Sequence, residues 1–362
     1  MWMVLVLVLT SIYVPMDKQS IHATSELTAN SICLVKVGNN KIRYYKGTDA
    51  ASSYYLINNV TDLEIFRQIV AGASASVLAE DEEGNSATVA VGDLTQNAVV
   101  VADTITLPDD WTGIGTSGNP YTGTFHGNGN SIAVHGSKGV FGVTSNANIY
   151  DTQVTGTMTV EDANVTYVES GYIGALVSHM RGGTIENCQS SVTMTVSASN
   201  TTINSNAVYI LVGGLVGYGE VAGQVGTITQ STNAGAITVT GEVHSVGGIV
   251  GTMGDSSDTT LAMGDGKNGY TALTNGSKIT DCINTATITV NHATTPARVG
   301  GIVGLSQVPI SEVGNEGAIT ENKSTSGADT TCVGNEARCV DQRGTLRLDS
   351  EQWFSVVEIH RK

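Results

Sequence analysis

The sequence predicts an all-β fold, a right-handed parallel β-helix with a short helical N-terminal lead-in, and three observations carry that prediction. A glycine-rich phrase recurs as Val212-Gly213-Gly214-Leu215-Val216-Gly217, Val246-Gly247-Gly248-Ile249-Val250-Gly251 and Val299-Gly300-Gly301-Ile302-Val303-Gly304. A second phrase lies upstream of each copy, opening at Ile185, Ile228 and Ile279, with weaker copies from Ile149 and Ile310. It sets a small residue three positions on (Cys188, Ser231, Cys282) and closes on an alternating tail such as Ile237-Thr238-Val239. Period two with β-branched residues means extended chain with one buried face, and long 3.6-period stretches are nearly absent. One repeat of roughly 35 residues cannot bury its own apolar face, so the repeats must stack.

Taken in order, residues 1–23 read as a secretory signal. The apolar run from Trp2 to Leu9 is too short to span a bilayer comfortably, a basic start is missing, and Ala23 supplies a cleavage residue. The expected location is secreted or cell-surface. Residues 24–75 form an N-terminal segment and helical cap; Tyr44-Tyr45 and Tyr54-Tyr55 could stack on sugar rings but are expected to pack that cap. Residues 76–320 hold the β-helix, with the acidic run Glu80 to Glu83 as a solvated loop. Residues 252–277 break the repeat spacing and should project as an inserted loop, and residues 321–362 should close the last coil.

Stacking turns repeated positions into columns. Thr152, Cys188, Ser231, Cys282 and Val313 share one; Ser190, Asn233, Asn284 and Asn315 share another, whose amides can hydrogen-bond from coil to coil. Asp151, Asn187, Gln230, Asp281 and Glu312 form a polar column. Glycine is expected to supply positive φ at the corners and close approach between backbones. Cys188 and Cys282 are separated by the coil of Ser231, about 9 to 10 Å at 4.8 Å per coil, beyond a disulfide's reach. Both read as buried small hydrophobes, Cys332 and Cys339 as the candidate pair, and Cys33 as left over.

These alternating phrases resemble the GLUG-repeat β-helix proteins of bacterial cell surfaces. The resemblance extends to Trp111, Ile114 and Gly115, and to Pro120-Tyr121 through Phe125-His126-Gly127-Asn128-Gly129, which match the family's entry coil with His126 in place of its usual Asp. Asp62-Leu63 through Ala71-Gly72 resemble its helical lead-in, so the likeness covers roughly residues 55–320. Asp341 to Gly344 with Val357-Glu358 resembles a closing segment. The family is functionally mixed: it includes adhesin-like proteins and accompanies the catalytic region of some IgA-cleaving zinc peptidases. The resemblance implies export. The peptidase reading does not carry over, because none of the seven histidines is followed by Glu.

Composition narrows the function. A net charge of −16 disfavours nucleic acid and anionic membrane, and 5% aromatic content is low for an ordinary enzyme. Asp281 and Glu312 fall on adjacent coils, about 5 Å apart at the backbone. Two close carboxylates are what a retaining glycosidase uses, although a solvated stripe is the plainer reading. Asp255, Asp258, Asp265 and Tyr270 in the inserted loop could hold calcium, but their spacing fits no defined calcium loop. Gly264 to Gly269 matches the letters of a dinucleotide fingerprint without its strand and helix and reads as a turn. Sequons at Asn59, Asn164, Asn200, Asn275 and Asn322 number near chance for so Asn- and Thr-rich a chain.

The expectation is therefore an adhesin-like binding and spacer protein meeting a host protein or glycan through its faces and loops. No catalytic residues, cofactor or metal are assigned, no nucleic acid is expected as partner, and no membrane span is expected in the mature chain. A polysaccharide-active glycosidase or lyase is the alternative, and a purely structural stalk of a larger surface protein the third reading.

Overall fold

The computed structural model describes residues 31–73, 75–80, 86–89, 94–255, 273–292, 298–323 and 332–334. Strands dominate, and among the described residues there is one α-helix. The signal reading of residues 1–23, most of the closing segment and the Cys332–Cys339 pairing fall outside what is described.

The chain enters through strands β1 (Ser31–Val37), β2 (Asn40–Lys46) and β3 (Tyr54–Ile57), paired antiparallel. Their alternation buries Val35, Ile42, Tyr44, Tyr55 and Ile57. Helix α1 (Val60–Val70) follows at once, because the Asn59 side chain accepts from the Asp62 amide at 3.0 Å and caps its first turn. Leu63, Ile65, Phe66 and Val70 form its buried face. This is the expected lead-in. Phe66 packs on Tyr55 and on Tyr121 of the next coil, with ring centroids 5.4 and 5.9 Å apart.

Strands β4 (Ala75–Glu80) and β5 (Ser86–Val89) follow the helix. They extend the antiparallel sheet, β4 beside β1 and β5 beside β4. A short link between β4 and β5 permits only a hairpin, since a parallel crossover needs a dozen or more residues. Parallel pairing begins instead where β3 meets Ala98–Val100, with Tyr55 beside Ala98 and Ile57 beside Val100.

From there the repeats build three sets of parallel strands, each strand pairing with its equivalent one repeat later. In the first, Ile149 lies beside Ile185, then Ile228, Ile279 and Ile310. In the second, Met158 lies beside Met194, then Ile237, Ile288 and Ile319. In the third, Val212 lies beside Val246, which lies beside Val299. The inward-facing members of these rows are almost wholly buried as far as Val299. Burying such a side chain contributes about 1.5–3 kcal/mol, which the repeat multiplies.

The columns acquire distinct duties. Asn233 donates to Asn284 at 3.1 Å and Asn284 to Asn315 at 2.7 Å, and each amide also bonds the backbone two residues on. The second glycine of each phrase faces this ladder: a Cβ on Gly214, Gly248 or Gly301 would collide with Asn233, Asn284 or Asn315 respectively. None of these three glycines has positive φ, so they serve close approach alone, correcting the corner role expected of them.

The small-residue column returns a hydrogen bond to the carbonyl two residues back: Thr152 to Tyr150, Cys188 to Glu186, Ser231 to Thr229 and Cys282 to Thr280. That is why Thr, Ser and Cys interchange there. Cys33, Cys188 and Cys282 are buried free thiols. Burial pushes Cys188 up to about 12 and Cys282 up to about 11.

Of residues 252–277, expected to project as a loop, 256–272 lie outside the described residues. Strand Val250–Gly254 carries Thr252 and Met253 into the first sheet, because Thr252 keeps register between Tyr218 and Leu305. At its far end, the Leu273 amide donates to Gln307 and Ser277 is buried.

Candidate functional site

The corner between the first and second sheets sets the local chemistry. Asp151, Asn187, Gln230, Asp281 and Glu312 each follow a strand of the first sheet and adopt φ of 47°, 54°, 49°, 53° and 56°. Asn and Asp tolerate this left-handed conformation best among residues with a side chain, which accounts for much of the polar column.

Asp281 and Glu312 accordingly project from neighbouring repeats at exposed positions. The Asp281 amide donates to the Ser311 carbonyl, and its carboxylate accepts from Thr280 Oγ1 at 3.3 Å. Asp255 ends its strand half-buried, its amide donating to the Gln307 side chain at 2.7 Å. Asp258, Asp265 and Tyr270 lie outside the described residues, as does the Gly264 to Gly269 turn. Among the described residues no three His, Cys, Asp or Glu side chains gather as a metal site.

The same corner opens into a cleft of about 310 Å³ where the column begins. His126, Asn128, Asp151, Gln153, Asn187 and Gln189 line it. His126 Nδ1 accepts from the Asn128 amide at 3.1 Å, which leaves the ring proton on Nε2 to meet Asp151 Oδ2 at 3.0 Å. Asn187 donates to the other Asp151 oxygen, and Gln153 donates to the Gly129 carbonyl at 2.9 Å. His126 and Asp151 remain about a third exposed, at 31% and 34%, so the cleft is wet. Thr152, the nearest hydroxyl in sequence, is buried and bonded to Tyr150, which withholds it as a nucleophile. The chemistry available is hydrogen-bond donation and acceptance. In the sequence His126 stands out only as a difference from the GLUG-type pattern that the segment resembles; its partner Asp151 is legible once the column is drawn.

A second cluster escaped the sequence reading. Glu220 Oε2 lies 2.9 Å from His179 Nε2 and 3.5 Å from Arg181 Nε; Arg181 also donates to Ser117 Oγ, which itself bonds Glu169. The rings of Tyr172, His179 and Tyr218 lie about 5 Å from one another. Burial pushes Tyr172 up to about 12. Burial raises the Glu169 carboxyl, but the Ser117 hydroxyl, its own backbone amide and the charges of His179 and Arg181 outweigh that and leave it below the usual range. Each side chain of the cluster bonds or stacks on another, which ties successive repeats together, while His179 Nδ1 is buried without a hydrogen-bond partner.

The sequon amides are occupied as well. Asn59 and Asn164 accept backbone amides, Asn200 accepts from Ile210, Asn275 donates to the Val221 and Gln224 carbonyls, and Asn322 donates to Asn291. No helix among the described residues is long and apolar enough to cross a membrane. Comparison with models of known families, with curated proteins and with solved structures finds no match to this chain.

Proposed function

We propose that the chain is a right-handed parallel β-helix that works as a secreted or cell-surface binding and spacer protein, adhesin-like, taking a host glycan or protein on its outer faces. The three parallel strand sets joined in one repeating order support the helix, and crossovers between parallel strands are right-handed in nearly all sheets. The resemblance to GLUG-repeat proteins belongs to the same proposal.

The cleft at His126 carries the functional part. Its carboxylate, two amides beside it and imidazole offer paired donors and acceptors suited to sugar hydroxyls, and it spans successive repeats. The glycosidase alternative loses ground because the Asp281–Glu312 column owes its residue types to the turn it makes.

The test is retention on an array of glycans and matrix proteins. Wild-type protein should show saturable retention on a hydroxyl-rich ligand, and Asp151→Ala should weaken it at least tenfold. Undiminished retention by Asp151→Ala would remove the cleft from the reading, and release of reducing ends that Asp281→Asn abolishes would replace binding with catalysis.

A further inference from the structure

The chain's charge is divided unevenly. Residues 36–46 contain four cations, Lys36, Lys41, Arg43 and Lys46, whereas residues 94–255 contain two, Lys138 and Arg181, against eleven carboxylates. One strand pair, β1 with β2, is therefore basic within an acidic chain.

Strand geometry gives that pair a face. Lys36 pairs with Lys41, Leu34 with Arg43 and Ile32 with Tyr45 across β1 and β2; Arg43 then pairs with Leu56 and Tyr45 with Tyr54 across β2 and β3. Directly paired residues point to the same side of a sheet. The partners of alternate parity, Ile42, Tyr44, Val35 and Tyr55, are buried, so this set faces outward. Lys46 has the inner parity and acts on the Cys33 thiol.

The outward side presents Lys36, Lys41 and Arg43 beside two half-exposed tyrosines. Tyr45 and Tyr54 stack with centroids 5.0 Å apart and planes 28° from parallel. Ile32 beside them is 40% exposed. The expectation that both tyrosine pairs pack the cap holds for Tyr44 and Tyr55 alone.

We infer that this face binds an anionic polysaccharide, with Tyr45 and Tyr54 under the apolar face of a sugar ring and Lys36 and Arg43 on its carboxylate or sulfate groups. Aromatic planes are sequence-tolerant stacking platforms, and Arg matches carboxylate and sulfate geometry with a planar fork. Charge complementarity selects an anion here, in contrast to the His126 cleft, whose own carboxylate suits neutral hydroxyls. A nucleic acid carries a phosphate at every unit and would run along a body that repels it, whereas a polysaccharide charged at intervals would not be so opposed. The site is separate from the cleft, so either can fail without the other.

The experiment titrates the full chain with a hyaluronate hexasaccharide, which carries a carboxylate on every second sugar, a keratan sulfate hexasaccharide, neutral cellohexaose and a hexathymidylate, while light scattering follows mass. Saturable binding of at least one anionic saccharide that weakens with salt is expected. Lys36→Glu with Arg43→Glu should lower affinity at least tenfold and Tyr54→Ala at least fivefold, while Glu316→Gln, at an exposed position outside both sites, leaves it unchanged. All four substitutions lie outside the core, and unchanged circular dichroism and melting establish that each variant folds. No binding to either anionic saccharide, equal affinity in the charge-reversed variant, tighter binding of the hexathymidylate, or a signal that tracks dimer mass would each overturn the inference.

Discussion

The two ends of the described chain fill their interiors by opposite rules. Between residues 31 and 150 the core is a run of unlike rings, Tyr44, Tyr55, Phe66, Tyr121, Phe141 and Phe125, with successive centroids 4.8 to 5.9 Å apart. Between residues 172 and 323 the same space holds aliphatic rows and an asparagine ladder, each position answered by its like one repeat on. Tyr44, Tyr55, Phe66 and Tyr121 lie where α1 and the antiparallel strands meet the parallel strands, while Phe125 and Phe141 stand in rows with Ile149 and Val177. A ring lost there leaves a larger void than an aliphatic residue trimmed in a row.

Substitutions can break this contrast. Phe141→Ala should cost about 3–5 kcal/mol in denaturant unfolding, against about 1 for Ile288→Val in an aliphatic row; equal costs would mean that the run of rings is no more constrained than the aliphatic rows. Asn284→Ala removes the middle rung and strands its neighbours' amides, for a loss of about 2–3 kcal/mol. A loss below 1 kcal/mol in the same measurement would show that backbone bonds alone hold that column.

The thiols sharpen the comparison by pH. Each of Cys188 and Cys282 is held by burial above its ordinary value of 9.0 in the folded protein. The unfolded chain then releases its thiol protons first, so stability is intact below about pH 9 and falls as pH rises above it. At pH 10 each thiol should cost about 1.4 kcal/mol, and Cys188→Ser with Cys282→Ser should flatten the curve. Cys33 is also raised by burial, to about 11, so Cys33→Ser tests the junction in the same way. At the corner, Asp281→Val should cost about 1–2 kcal/mol through its left-handed backbone, and Asp281→Gly, the smallest effect, almost nothing.

Much of this was legible in the residues. Alternating β-branched tails announced strands, recurring phrases announced parallel partners, and the Asn column announced its ladder. Columns expose what recurs, and they hide what does not. Ser117, Glu169, Arg181 and Glu220 are joined across different repeats by contacts with no common spacing, so no pattern pointed to them. The split of Tyr44-Tyr45 and Tyr54-Tyr55 was available in principle, because adjacent residues of a strand face opposite ways. Glycine serves both expected uses, left-handed turning at positions such as Gly156 and Gly183 and close approach at Gly214, Gly248 and Gly301, but the two look identical in letters, and at this corner Asp, Asn, Gln and Glu make the turn.

The asparagine ladder has a direction. Every amide hands its proton toward the C-terminus, from Asn233 to Asn284 to Asn315, and the row starts after Ser190, which has no amide to offer. Such a file behaves like a one-way coupling: a duplicated unit inserted after Asn233 joins it at both ends if it brings its own asparagine and facing glycine, while a unit lacking either severs it. Length can therefore change by whole units without renegotiating the interior.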